Sequence, residues 1–145
     1  MAALRKTFRI NKKDFIHAGE ASISVKNLLK SLHVDTKLIR CVSVCGYEGE
    51  MNVVMHGGEG ILSVEIDREK VILEISDDGP GIENIDLAMQ EGFSTATEEQ
   101  REMGFGAGMG LPNMKRNSDH MTVESEKEKG TQIRMSFSMA DEKGE

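Results

Sequence analysis

Three groups of residues in this chain have types and spacings suited to chemistry. Glu48, Asn52 and His56 recur every fourth residue, which on a helix places them on one face. An Asn side-chain oxygen can ligate Mg²⁺, a cation that keeps several waters and takes further ligands from substrate phosphates. A Glu one turn earlier can orient or deprotonate a nucleophile. Any one such triplet is more commonly the solvated face of an amphipathic helix. Asp77-Asp78-Gly79-Pro80-Gly81 directly follows an apolar run at 71–75. The chain therefore leaves a strand through a tight loop, and Asp77 at its base can accept a hydrogen bond from a ligand amine. Taken alone, Asp, Gly and Pro more often mark an ordinary turn. The run Gly104-Phe105-Gly106-Ala107-Gly108-Met109-Gly110 precedes a helical pattern, so its backbone N–H groups can approach an anion without interference from Cβ atoms. No Gly-Lys-Ser/Thr follows it and no strand precedes it, so it is neither a Walker loop nor a dinucleotide fingerprint.

The elements that must hold these groups follow from periodicity. Residues 4–10 have strand composition, and 14–34 carry Ile16, Ile23, Leu28, Leu29 and Leu32 at helical spacing. Asp35 has N-cap chemistry and opens a second helix through Leu38, Ile39, Val42, Val53 and Val54, which Gly57-Gly58 ends. Gly46 and Gly49 lie inside that helix, each costing about 1 kcal/mol relative to Ala. At 61–66 and 71–75 the period changes to strand alternation, with a hairpin turn at 67–70. A short helix is expected at 85–90, a polar connection with the character of a mobile loop at 91–103, a helix at 111–118, and a closing pair of strands at 121–125 and 131–139 around Gly130. This order predicts an α+β fold, a two-layer sandwich with helices on one face of a mixed, largely antiparallel sheet. Residues 1–139 read as one domain and 140–145 as a polar tail.

Composition narrows the function classes. The 145 residues include 25 acidic and 18 basic side chains, a net charge of −7, which repels a phosphate backbone and argues against nucleic acid as a partner. No apolar run approaches the roughly 20 residues of a membrane span, and no secretory signal follows the basic start, so the expected compartment is the cytoplasm. Cys41 and Cys45 share a helical face but lack a second pair to complete a zinc set, so they read as core residues. The ten Met residues read as packing.

Taken together, Glu48-x-x-x-Asn52, Asp77-x-Gly79-x-Gly81, the 104–110 glycine run and Gly130-Thr131 resemble, in order and spacing, the GHKL ATPase family shared by gyrase, MutL and histidine kinases. The resemblance spans about residues 35–137 and implies a Bergerat fold with ATP between the helical layer and a lid. It implies that Asn52 ligates Mg²⁺, that Asp77 contacts the adenine amino group with Gly79 and Gly81 beside the base, and that Thr131 supports the adenine end. Gly104, Gly106, Gly108 and Gly110 would form the lid and helix start, with Leu111 among the nucleotide-binding residues. Within the family, the chain is similar to the stand-alone serine kinases of the RsbW and RsbT type that control bacterial sigma factors, and residues 88–95 with Leu111, Lys115-Arg116 and Asp119 resemble the RsbT-type switch kinases most closely. One departure is that Gly106 stands where RsbW-type kinases tend to carry an Arg, leaving Arg101 or Lys115 as candidate phosphate contacts. The resemblance implies a serine/threonine protein kinase that uses ATP and Mg²⁺, with Glu48 as base and a STAS-like anti-anti-sigma protein as substrate. The alternative it implies is a nucleotide-gated anti-sigma factor that sequesters a sigma factor without phosphoryl transfer. Family members often pair, so a homodimer is compatible with it, although no residue pattern here specifies one.

Overall fold

The computed structural model describes residues 3–56, 58–82, 85–90 and 110–139. Gly57, the 91–109 segment with Arg101, Gly104, Gly106 and Gly108, and the 140–145 tail lie outside the described residues. In chain order the elements are β1 (Leu4–Ile10), α1 (Glu20–Ser31), α2 (Thr36–His56), β2 (Gly60–Ile66), β3 (Lys70–Asp77), α3 (Ile85–Ala88), α4 (Gly110–Asn117), β4 (His120–Glu126) and β5 (Gly130–Ser138). The strands form one sheet in the order β1-β2-β3-β5-β4, and every neighbouring pair is antiparallel. The expected α+β sandwich is present. No helix among the described residues is long and apolar enough to cross a membrane.

Strand alternation decides which sheet face is buried. Three rungs of the central strands align across the register: Leu62, Ile75 and Ile133; Val64, Leu73 and Met135; Ile66, Val71 and Phe137. All nine are buried, and successive rungs lie two residues apart, as one face of a pleated sheet requires. The opposite face carries Glu74, Gln132 and Arg134, with Gln132 Nε2 donating to Glu74 Oε2 at 3.0 Å. Over the apolar face lie Val25 and Leu29 of α1, Val42, Cys45 and Val53 of α2, and Leu111 and Met114 of α4. Gly49 accounts for how closely α2 sits on the sheet, because a Cβ there would stand 2.1 Å from Ile75 Cδ1. The helix-weakening glycine is therefore a contact point. Met51, Met55, Met114 and Met135 are buried, the packing role expected of methionine.

The first helix differs from the expectation. It begins at Glu20, not near residue 14, and Ile16, counted toward its apolar face, is 88% exposed in the preceding loop. Ile23 and Leu32 are exposed as well, and the buried stripe runs through Ala21, Ser22, Val25 and Leu29. A buried carboxylate sets the helix start. Glu50 of α2, only 3% exposed, accepts from the backbone N–H of Gly19 at 3.0 Å, Ala21 at 3.2 Å and Ser22 at 3.0 Å. These are N–H groups that a helix's own ladder leaves without partners, and the negative charge complements the dipole at this end. Glu50→Ala is expected to lower the unfolding free energy by about 2–4 kcal/mol, since three buried donors lose a charged acceptor. The readout is a lower urea midpoint at unchanged slope, with a smaller fall for Glu50→Gln, whose amide oxygen still accepts. An unchanged midpoint in both would remove Glu50 from the account of α1.

Candidate functional site

One end of the site is built on α2. Asp35 Oδ2 accepts from the N–H of Lys37 at 3.0 Å and Leu38 at 3.4 Å at its start. At its last turn Lys13 Nζ donates to Met55 O at 2.7 Å, a cation at the negative end of the dipole. Glu48 and Asn52 are half-buried one turn apart, facing the start of α4. A Cβ added at Gly110 would lie 3.4 Å from Asn52 Oδ1, 3.6 Å from Asn52 Nδ2 and 3.6 Å from Glu48 Oε1. α4 is anchored there by Leu111 and Met114, both in the core, and by Cys45 Sγ donating to Met114 O at 3.5 Å. Leu111 therefore turns its side chain into the core, so only its backbone is left for the nucleotide contact expected of it. Burial pushes the Cys45 thiol up to about 12, so this cysteine packs and stays protonated.

The other end is where β3 stops. Asp77 pairs with Thr131 across β3 and β5, which puts both side chains on one face of the sheet edge. Asp77 Oδ1 accepts from the Gly79 N–H at 2.8 Å, which fixes the carboxylate's orientation. Burial pushes the Asp77 carboxyl above the ordinary range, opposed by the N–H groups of Gly79 and Gly58; Asp78 raises it further and His56 lowers it. His56, the last residue of α2, is pushed down by burial and by Lys13, with Asp77 pulling the other way. Thr131 Oγ1 lies 3.0 Å from Ser125 Oγ, which also accepts from the Ile82 N–H at 2.6 Å and donates to Gly130 O at 3.2 Å. Either hydroxyl of the Ser125–Thr131 pair can donate to the other. Gly81 and Gly130, with φ of 84° and 124°, let this loop close: a Cβ on Gly130 would stand 1.9 Å from Asp77 O, and one on Gly81 2.6 Å from Glu126 O.

The described site residues thus fall into two clusters, Glu48–Asn52–Gly110 and Asp77–Gly79–Gly81–Thr131, with α2 running between them and His56 beside Asp77. Sequence reasoning missed Ser125, Glu50 and Asn113, whose Nδ2 donates to Glu48 Oε2 at 3.1 Å. The donor set fits Mg²⁺-ATP. A half-buried carboxylate can accept from an amine, an amide oxygen suits a hard cation that takes further ligands from phosphate, and the gap at Gly110 is one a Cβ would fill. Gly110→Ala tests that gap. It should leave stability nearly unchanged, since the added Cβ would make only ordinary contacts of 3.4–3.6 Å with Asn52 and Glu48, while lowering Mg²⁺-ATP affinity roughly tenfold by filling space that the cation and phosphates would occupy, a loss of about 1.4 kcal/mol. Calorimetric titration showing wild-type affinity would place the phosphates elsewhere.

Comparison with known proteins identifies the fold and the family. The profile of the family described as histidine kinase-, DNA gyrase B-, and HSP90-like ATPase matches residues 48–141. An anti-sigma F factor of Thermoanaerobacter sp. (strain X514) is 39% identical over 101 residues, covering 66% of this chain and 67% of the relative. One of Clostridium kluyveri (strain ATCC 8527 / DSM 555 / NBRC 12016 / NCIMB 10680 / K1) is 36% identical over 120 residues, covering 79% and 81%. Among solved structures, the SiaB-SiaC complex from Pseudomonas aeruginosa contains a chain that superposes with a TM-score of 0.62 at 11% identity, over 91% of this chain and 88% of that one. The RsbU and RsbW domains of Rv1364c from Mycobacterium tuberculosis give 0.59 at 13% identity, over 91% of this chain and 32% of that one. At such identities the structures speak for the fold. The profile and the curated relatives establish more: the chain belongs to the histidine kinase-, DNA gyrase B- and HSP90-like ATPase family.

Proposed function

We propose that this chain binds Mg²⁺-ATP and acts in the cytosol as a serine/threonine protein kinase of the switch or anti-sigma type, with a small STAS-like regulatory protein as its acceptor. The observation that carries the reading is the meeting of Glu48 and Asn52 at Gly110, with a rigid helix supplying both the base and the cation ligand. Bound Mg²⁺-ATP supplies the transferable phosphoryl group. Asp77 and Thr131 hold the amine-bearing ring at the far end, the Asn52 amide oxygen holds the cation, and Glu48 takes the proton of the acceptor's serine hydroxyl. Phosphoryl transfer is largely positioning and charge neutralisation, so these groups with backbone N–H donors form a sufficient set.

The relatives' name, anti-sigma F factor, favours a second reading that coexists with the first: a nucleotide-gated binder that sequesters a sigma factor. Both are tested by capturing partners on the immobilised chain with and without Mg²⁺-ATP and searching them for phosphoserine. Phosphoserine that appears only with Mg²⁺-ATP supports the kinase. Partners whose retention alone responds to nucleotide support the gate.

A further inference from the structure

α4 presents to Glu48 a side chain that the roles above leave unused. Asn113, one turn after Gly110 on the same face, donates from Nδ2 to Glu48 Oε2 at 3.1 Å. Arg116 lies three residues further along that face and donates from Nη2 to Asn113 Oδ1. The guanidinium has only donors, so it fixes which end of the amide is oxygen and turns the NH₂ toward Glu48. Glu48 is thereby divided. Oε2 is committed to Asn113, while Oε1 faces the Gly110 gap beside Asn52. The relay stands on a rigid support, because Leu111 and Met114 are buried, Asn117 Nδ2 donates to Asn113 O at 2.8 Å and Ser118 Oγ to Met114 O at 2.8 Å.

We infer that Asn113 is a positioning residue for Glu48, held in turn by Arg116, and that the pair selects the one carboxylate rotamer in which Oε1 points at the reacting hydroxyl; this rests on the kinase reading. A Glu side chain has three rotatable bonds, and a base must be held within about 0.5 Å and 10–20° of its productive pose. Partners behind a first contact commonly matter 10–100-fold. One oxygen held by a neutral donor leaves the other with its lone pairs free, which suits a base better than direct ion pairing of both oxygens to an arginine.

The test compares wild type with Asn113→Leu, Asn113→Asp and Arg116→Ala, using Mg²⁺-ATP and the captured acceptor protein. Asn113→Leu keeps the volume and removes the donor. It should keep ATP affinity within about threefold and lower the transfer rate roughly 10–100-fold. Asn113→Asp keeps the shape but sets a second carboxylate against Glu48, and two such groups cannot both ionise cheaply. Its rate should fall further than that of Asn113→Leu at neutral pH, and its acid limb should move to higher pH. Arg116→Ala should fall between wild type and Asn113→Leu. Wild-type transfer in Asn113→Leu overturns the inference. So do equal losses in the Leu and Asp variants that track a fall in thermal midpoint, because they would mark a merely structural role. Should wild type phosphorylate no acceptor, the kinase reading fails by itself, and side-chain NMR still decides the contact. The Asn113 NH₂ resonances should move with Glu48 ionisation in wild type and stop moving in Glu48→Gln; resonances indifferent to pH in wild type overturn the inference.

Discussion

Asp77→Asn is expected to reduce ATP affinity by about a hundredfold or more while leaving the fold as stable as before or more so. The affinity loss follows from chemistry at one atom. The carboxylate oxygen proposed to accept from the adenine amine becomes an amide able to present a donor there, and an unmatched buried pair costs roughly 2–4 kcal/mol. The stability prediction follows from linkage. Burial raises the Asp77 carboxyl in the folded chain, so between the ordinary and the raised value the folded state binds more protons than the unfolded one. Stability therefore falls as pH rises through that window, and the cost persists at neutral pH. An uncharged Asn removes that cost. ATP affinity should also weaken in wild type as acid protonates Asp77, and lose this dependence in the variant. Titration calorimetry with a thermal melt reads both. Wild-type affinity would remove Asp77 from the adenine end, and a melt lowered together with affinity would make its role structural.

The second large effect is on chemistry alone. Glu48→Gln should lower phosphoryl transfer roughly 10²–10⁴-fold, the usual worth of a placed base, with ATP affinity within a few-fold, because a base acts on the transition state and hardly on ground-state binding. The geometry favours a clean result: a Gln oxygen can still accept from Asn113 Nδ2, so the side chain keeps its place. Equal phosphorylation by both proteins would remove Glu48 from the reaction while leaving the kinase standing.

Most of the strands and the long helix were legible because their side chains obey one period, and the three buried rungs of β2, β3 and β5 are the physical form of that alternation. The Glu48–Asn52 pairing was legible for the same reason, a spacing of four on one helix. What periodicity could not supply was contact between distant segments. Asn113 meets Glu48 across a separation of 65 residues, and nothing local to either residue announces the other. Ser125 joins Ile82, Gly130 and Thr131, a junction that exists only once β4 and β5 have paired. Glu50 left a signal that went unread. It lies among Val42, Cys45, Gly46, Gly49, Val53 and Val54, and an acid on a stripe of apolar and small residues points to a buried partner elsewhere. That partner is the N-terminus of α1, which is also why the helix starts six residues later than the spacing of Ile16 and Ile23 implied. Gly46 and Gly49, which propensity alone counts against the helix, let α2 approach Ser22, Leu73 and Ile75.

The central claim is that this site transfers the γ-phosphoryl group of ATP to a protein serine. Its most direct test is a single-turnover incubation of the wild-type chain with Mg²⁺-ATP and its captured acceptor, with ADP and phosphoserine quantified in the same samples. The account predicts phosphoserine on the acceptor appearing in step with ADP, and neither when Mg²⁺ is chelated. ADP without phosphoserine, or ATP that changes the acceptor's affinity while remaining intact, would contradict it.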